Sequence, residues 1–207
     1  ESIPDRLKKG VNRIIRVDMK AQVSTSSAQS ILSMRQLCHA YYELTKPRVV
    51  ALIVFTAVVG MFLSIEGMIP LSALIFGGLG IGLAAASGAA FNHLLDRRAD
   101  RLMARTSGRP LPTGSVQTIP AIVFAGSLAL LSMALLISQV NFLTAALSFG
   151  SMIGYAVVYT VWLKHATPQN IVIGGAAGAM PPVLGWSAVT GEVGSDALLL
   201  FLIIFCW

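Results

Sequence analysis

From residue 49 onward, long uncharged apolar blocks alternate with short polar ones. The blocks cover 49–65, 71–91, 119–138, 142–163 and 171–189, and another begins at 197. Each complete block is near the ~20 residues an α-helix needs to cross ~30 Å of hydrocarbon. The pattern predicts an all-α, polytopic membrane helix bundle with five full spans and part of a sixth. The stretch 197–207 is too short to span as a helix, and the first residue is Glu1. The chain therefore reads as a truncated fragment.

The remainder divides into two parts. Residues 1–46 form a basic N-terminal segment carrying Arg6, Lys8, Lys9, Arg13 and Arg16 among others. Residues 47–207 form the membrane domain, incomplete at its C-terminus. Leu7, Val11, Ile14 and Ile15 have rough helical spacing beside the basic residues, which suits either a helix lying on an anionic membrane surface or a disordered extension.

Charge adds orientation. The loops 66–70, 139–141 and 190–196 contain no Lys or Arg, whereas the N-terminal arm, the 92–118 loop and the 164–170 loop contain all 15. This sorting places the N-terminus and the 92–118 loop on the cytoplasmic side, with a bacterial inner membrane as the expected location. Hydrophobic residues make up 55% of the chain and charged ones 12%, against about 25% charged in a soluble domain. The net charge of +6 lies in these loops and calls for no nucleic-acid partner. Cys38 and Cys206 have no metal or disulfide spacing.

Small residues crowd the second and fifth spans. Gly78/Gly82 and Gly174/Gly178, four apart, predict close helix packing. Pro181-Pro182 predicts a kink or break in the fifth span.

The chemistry concentrates after the second span. Asn92, Asp96 and Asp100 are spaced four apart, so a helix sets them on one face. Two carboxylates and an amide oxygen suit Mg²⁺, a hard cation that commonly shares phosphate ligands. Arg97, Arg98, Arg101, Arg105 and Arg109 surround the acids, and guanidinium binds phosphate oxygens in pairs. Cytoplasmic charge bias alone accounts for Arg97 and Arg98. A Mg²⁺-bound diphosphate is the ligand this cluster predicts, held by Asn92, Asp96, Asp100, Arg105 and Arg109. Lys164, ending the fourth span on the same side, is either a partner for a leaving diphosphate or a snorkelling anchor. Tyr159 is either a substrate neighbour or an interfacial aromatic. Lys46 and Arg48 flank Pro47 at the entry to the first span and face the same side. The three histidines lack ligand spacing, and His93 is turned ~100° from Asn92 on a helix.

The motif Asn92-x-x-x-Asp96-x-x-x-Asp100 with the trailing Arg105-Thr-x-x-Arg109-Pro resembles the first aspartate motif of the UbiA superfamily of intramembrane prenyltransferases. The strings Glu43-Leu-Thr-Lys-Pro-Arg48 and Thr167-Pro-Gln-Asn-Ile-Val-Ile-Gly-Gly-Ala-Ala-Gly-Ala-x-Pro-Pro182 are similar to its heme O synthase branch. The likeness runs from about residue 42 to 186. It implies a nine-helix bundle with a cavity open to the cytoplasm, and a second aspartate motif beyond residue 207. This fragment is then expected to be inactive alone.

The resemblance further implies transfer of farnesyl from farnesyl diphosphate to a vinyl group of heme b, with Mg²⁺ as cofactor and diphosphate as the other product. Asp96, Asp100, Lys164, Arg105 and Arg109 would be catalytic, and Asn92, Tyr159, Lys46 and Arg48 would join the substrate site. Heme A synthase or terminal-oxidase assembly is the protein partner it suggests. Two other readings stand beside it: a prenyltransferase of the same superfamily with an aromatic or quinone-precursor acceptor, and a membrane transporter. Against transport, the charges lie at one membrane face and not at the midplane.

Overall fold

The computed structural model describes residues 34–163 and 170–206. The chain divides into Glu1–Cys38 and His39–Trp207. Of the first unit, only the helical turn from Met34 belongs to the described residues.

Helices follow the apolar blocks. α1 is Met34–Leu44 and α2 is Pro47–Leu63. α3 is Ala73–Leu102, opening with a π-helical turn over Ala73–Gly77. The short α4 is Pro110–Thr113, and α5 is Thr118–Gln139. α6 is α-helical over Phe142–Ile153 and π-helical over Gly154–Leu163. α7 is Asn170–Thr190 and α8 is Ser195–Cys206.

Local chemistry sets several ends. Pro47, whose missing N–H is tolerated in a first turn, starts α2. Asn141 caps α6 by accepting from the Thr144 N–H at 2.8 Å. Gly114 leaves α4 in the left-handed region at φ 81°, where a side chain is disfavoured.

Among the described residues, α3, α5 and the α6 stretch Phe142–Thr160 are long and apolar enough to cross a membrane. Taking α1 and α2 as one broken span makes four. Large apolar side chains such as Leu52, Phe55, Leu130 and Ile203 point outward, as hydrocarbon surroundings require. The protein is a multi-pass membrane helix bundle.

α3 is the hub. Its buried Gly80, Gly82, Gly88, Ala86 and Ala90 let neighbours come close. A Cβ on Gly80 would lie 2.5 Å from Leu136 of α5. The buried hydroxyls of Ser87 and Ser132 donate across the same pair of helices, to the carbonyls of Ala125 at 2.8 Å and Gly80 at 2.7 Å. One apolar core joins α1, α3, α4 and α5 through Leu44, Leu94, Leu111 and Ala125. The other joins α2, α3 and α7 through Ala57, Met61, Ile81 and Leu184.

Two expectations are met only in part. Gly82 and Gly174 are tightly packed, a Cβ there lying 3.0 Å from Val54 and 2.6 Å from Tyr159, but the neighbours are side chains. The closest backbone approach lies elsewhere. It is where α2 crosses α7: a Cβ on Gly60 would meet the Pro182 carbonyl oxygen at 2.2 Å, and one on Gly185 the Ala57 carbonyl oxygen at 1.9 Å. Gly78 has only a Val54 methyl at 3.9 Å, and Gly178 has nothing within 4 Å. Nor does Pro181-Pro182 break the helix, because α7 runs continuously from Asn170 to Thr190. The prolines remove two N–H donors, but the backbone of Pro182 is packed against Gly60. Packing on that side holds the helical path.

Candidate functional site

The site forms where the last turns of α3 meet the α1–α2 corner and the π-helical end of α6. α3 continues past its apolar part to Leu102, so Asn92, Asp96 and Asp100 share one side of it as their spacing predicts. Asn92 and Asp100 are buried, and Asp96 is half-buried.

Asn92 is the junction. Its Oδ1 accepts from the Lys46 ammonium at 2.6 Å. Its Nδ2 donates to Asp96 Oδ2 at 3.2 Å and to the Thr160 hydroxyl at 3.0 Å. Thr160 in turn donates to the Tyr155 carbonyl at 3.0 Å. That five-residue step is the π-helical spacing, so the wide helix aims Thr160 at Asn92. Lys46 reaches the group from a left-handed backbone conformation, φ 49° and ψ 61°. A non-glycine residue there is strained, and the 2.6 Å charge-assisted bond to Asn92 helps hold it.

Asp100 forms a second pair. Arg109 Nη1 donates to both of its oxygens, at 2.9 and 2.8 Å. The Asp100 side chain is 4% exposed and that of Arg109 31%. Thr106 donates to the Asp100 carbonyl at 3.1 Å, folding the loop back under the helix end.

The expected residues thus fall into groups. Lys46, Asn92 and Asp96 come together, and Asp100 pairs with Arg109. Tyr159 is half-buried, stacks on Tyr155 with ring centroids 5.9 Å apart, and packs over Gly174, whose Cβ would lie 2.6 Å from its ring. Arg48 and Arg105 are exposed and are not drawn into either group. Lys164 lies outside the described residues.

Thr160 and Tyr155 escaped the sequence reading, and His93 was read there only as lacking ligand spacing. Thr160 gave no signal, since it reaches Asn92 across 68 positions. Tyr155 lies one turn from Tyr159 and lines the cavity below the site. His93 is 4% exposed, and neither ring nitrogen has a hydrogen-bond partner. Its spacing was readable: His93 and Asp100 are seven apart, which returns to within ~20° on a helix.

Below this polar rim, a cavity of about 610 Å³ opens between α2, α3, α6 and α7. Lys46 stands in its wall, and Val49, Ile53, Ala85 and Met152 make it largely apolar. Its size is that of a small-molecule site.

No group of three or more His, Cys, Asp or Glu suited to a metal occurs among the described residues. The oxygens present fit a different arrangement. Two hard carboxylates and an amide oxygen supply part of a shell, leaving phosphate and water to complete it, which is how Mg²⁺ is usually bound. Two cationic side chains, Lys46 and Arg109, stand within hydrogen-bonding distance of this acid–amide set. The arrangement can take an anion, a hard cation, or both together.

Comparison with known proteins gives a consistent result. Protoheme IX farnesyltransferase 1 of Shewanella woodyi is 62% identical over 168 residues, covering 81% of this chain and 56% of that protein. Protoheme IX farnesyltransferase of Nitrosococcus oceani is 62% identical over 167 residues, with the same coverages. The Shewanella sediminis protein of that name is 56% identical over 190 residues, 91% of this chain and 62% of the relative. The chain therefore spans a little over half the length of these relatives. Among solved structures, a UbiA homolog from Archaeoglobus fulgidus bound to DMAPP and Mg²⁺ has the same fold, with TM-score 0.68 at 24% identity over 80% of this chain and 60% of that one. The UbiA prenyltransferase family matches residues 53–207, and the chain, a helix bundle with an acid-and-cation rim over an apolar cavity, belongs to that family.

Proposed function

We propose that the whole protein joins the farnesyl group of farnesyl diphosphate to a vinyl group of heme b, giving heme O and diphosphate. The observation that carries this reading is Lys46, which stands in the wall of an apolar cavity of about 610 Å³ and bonds Asn92, which in turn bonds Asp96. A long apolar tail with an anionic head matches that division. The names of the relatives supply the acceptor: each is a protoheme IX farnesyltransferase.

Asp96 and Asp100 would hold Mg²⁺, and Asn92 Oδ1 would join them once the Lys46 ammonium turns from it to the phosphates. Bound there, the metal supplies Lewis-acid stabilisation of charge on the leaving diphosphate. The side chains do the rest. Lys46, Arg105, Arg109, Lys164 and Arg48 neutralise the phosphate oxygens as the allylic C–O bond breaks. Arg109 also fixes the Asp100 carboxylate, which it holds through both oxygens. Asn92 fixes Asp96 and Lys46 relative to one another. Tyr159, packed over Gly174, would stand beside the substrate. The apolar walls keep bulk water from the allylic carbon. The charge sorting of the loops supports a cytoplasmic site in a bacterial inner membrane, from which heme A synthase or terminal-oxidase assembly would take the product.

The test is incubation of the full-length protein with heme b, farnesyl diphosphate and Mg²⁺, followed by mass analysis of the porphyrin. A farnesylated, hydrated porphyrin is expected, and its formation should stop on chelation of Mg²⁺ and in Asp96→Ala. Unmodified heme alongside a prenylated aromatic acid or quinone precursor would transfer the reading to that acceptor class.

A further inference from the structure

Inside the cavity the wall changes character. Ser148 is 1% exposed, lines the cavity, and its hydroxyl has no hydrogen-bond partner. An unmatched buried hydroxyl costs ~1–3 kcal/mol, so it asks for a ligand. Ser151, about one turn along the same helix, lines the same cavity. On the opposing wall, Pro181 and Pro182 have no N–H, so the carbonyls of Ala177 and Gly178 lose their regular helical donors. Ala177 and Gly178 both line the cavity.

The two walls are in register. The Thr144 and Ser187 hydroxyls meet at 2.9 Å and tie α6 to α7. Counting from that tie in opposite chain directions, Ser148 stands level with Val183 and Ser151 with Met180. Helical carbonyls point toward the C-terminus, so those of Ala177 and Gly178 lie nearly level with Ser151 and roughly 5–7 Å along the axis from Ser148.

Two hydroxyls and two acceptors without their usual donors, in a cavity otherwise largely apolar, suit a small molecule that donates two hydrogen bonds. Water does this, and a buried water is stable where two to four polar partners surround it. We propose that Ser148, Ser151 and the carbonyls of Ala177 and Gly178 hold the water that the reaction consumes. The inference rests on the heme-farnesylation reading. Diphosphate leaves with the electron pair of the allylic C–O bond. The vinyl π pair forms the new C–C bond to that carbon, and the positive charge passes to the vinyl carbon beside the porphyrin ring. The held water gives a lone pair to that carbon, forming a C–O bond. Its surplus proton passes through neighbouring water to the expelled diphosphate. Lacking the held water, the cation loses a proton to the same diphosphate and becomes an alkene, lighter than the normal product by one water.

The test uses the full-length protein in membranes with heme b, farnesyl diphosphate and Mg²⁺, and reads the ratio of hydrated to alkene product by mass spectrometry. The double variant S148A/S151A should lower that ratio at least about fivefold, the factor one ordinary hydrogen bond is worth. P181A, which gives the Ala177 carbonyl a donor, should move it the same way. S148T/S151T, which keeps both hydroxyls, should restore it. An unchanged ratio in S148A/S151A and P181A overturns the proposal. So does loss of all prenylated product in S148A/S151A that S148T/S151T fails to repair. Failure of the underlying activity reading is distinct, because the unaltered protein would then leave heme unmodified.

Discussion

Gly185→Ala tests the packing that shapes the cavity. A Cβ at 185 would lie 1.9 Å from the Ala57 carbonyl oxygen and 2.7 Å from its carbonyl carbon. Ordinary contact begins near 3.4 Å, so α2 and α7 must separate by about 1.5 Å at this crossing. The obstacle is backbone, and no side chain can turn away to make room. Gly60 is held the same way against Pro182, one turn along, so the strain cannot be relieved by sliding in that direction. Overpacking ordinarily costs about 1–3 kcal/mol, and a backbone-to-backbone clash belongs at the upper end, about 3 kcal/mol. Gly126→Ala is the control, because open space surrounds that position within α5. There the added methyl should be neutral or stabilise by up to ~1 kcal/mol through helix propensity. The assay is equilibrium unfolding in mixed micelles, read by far-ultraviolet circular dichroism. If Gly185→Ala unfolds at the same denaturant mole fraction as Gly126→Ala, the crossing described here is wrong.

Further predictions concern the rim. Asp96→Ala and Asp100→Ala should each weaken Mg²⁺-dependent binding of a prenyl diphosphate by about tenfold to a hundredfold, measured by calorimetry with and without the metal; equal affinity in both conditions would refute the metal assignment. Arg109→Ala leaves the buried Asp100 carboxylate without its cation. It should cost about 2 kcal/mol in the same unfolding assay, discounted from the 3–5 kcal/mol of a fully buried pair because Arg109 is partly exposed. Asn92→Ala removes the acceptor that Lys46 uses and one donor to Asp96. Prenyl-diphosphate affinity should fall about tenfold, with a stability loss of about 1–3 kcal/mol from the buried partners left unmatched, and Asn92→Asp should recover part of the affinity; wild-type affinity in the alanine variant would show that Asn92 organises nothing. Gly174→Ala pushes on the Tyr159 ring and not on backbone, so it should lower activity several-fold at nearly unchanged stability.

The apolar blocks and their approximate lengths were legible in the sequence, because they depend on local composition and on the bilayer thickness. The Asn92, Asp96 and Asp100 register was legible for the same kind of reason: a helix turns at a known rate, and α3 continues through all three. What lay beyond the sequence involves residues far apart in the chain, or competition between local preference and packing. The Lys46–Asn92 bond joins positions 46 apart, and Thr160 reaches Asn92 only because the end of α6 widens into a π-helix. Nothing local distinguished Gly60 and Gly185, which meet a neighbouring backbone, from Gly78 and Gly178, which do not. Pro181-Pro182 carried a local instruction to kink or break, and α7 stays helical across it, with Pro182 packed against Gly60. Patterning along the chain thus determined which segments are helical and where the charges gather. Only the packed bundle decided which charge is paired with which, and where a cavity remains, because those are outcomes of how surfaces fit.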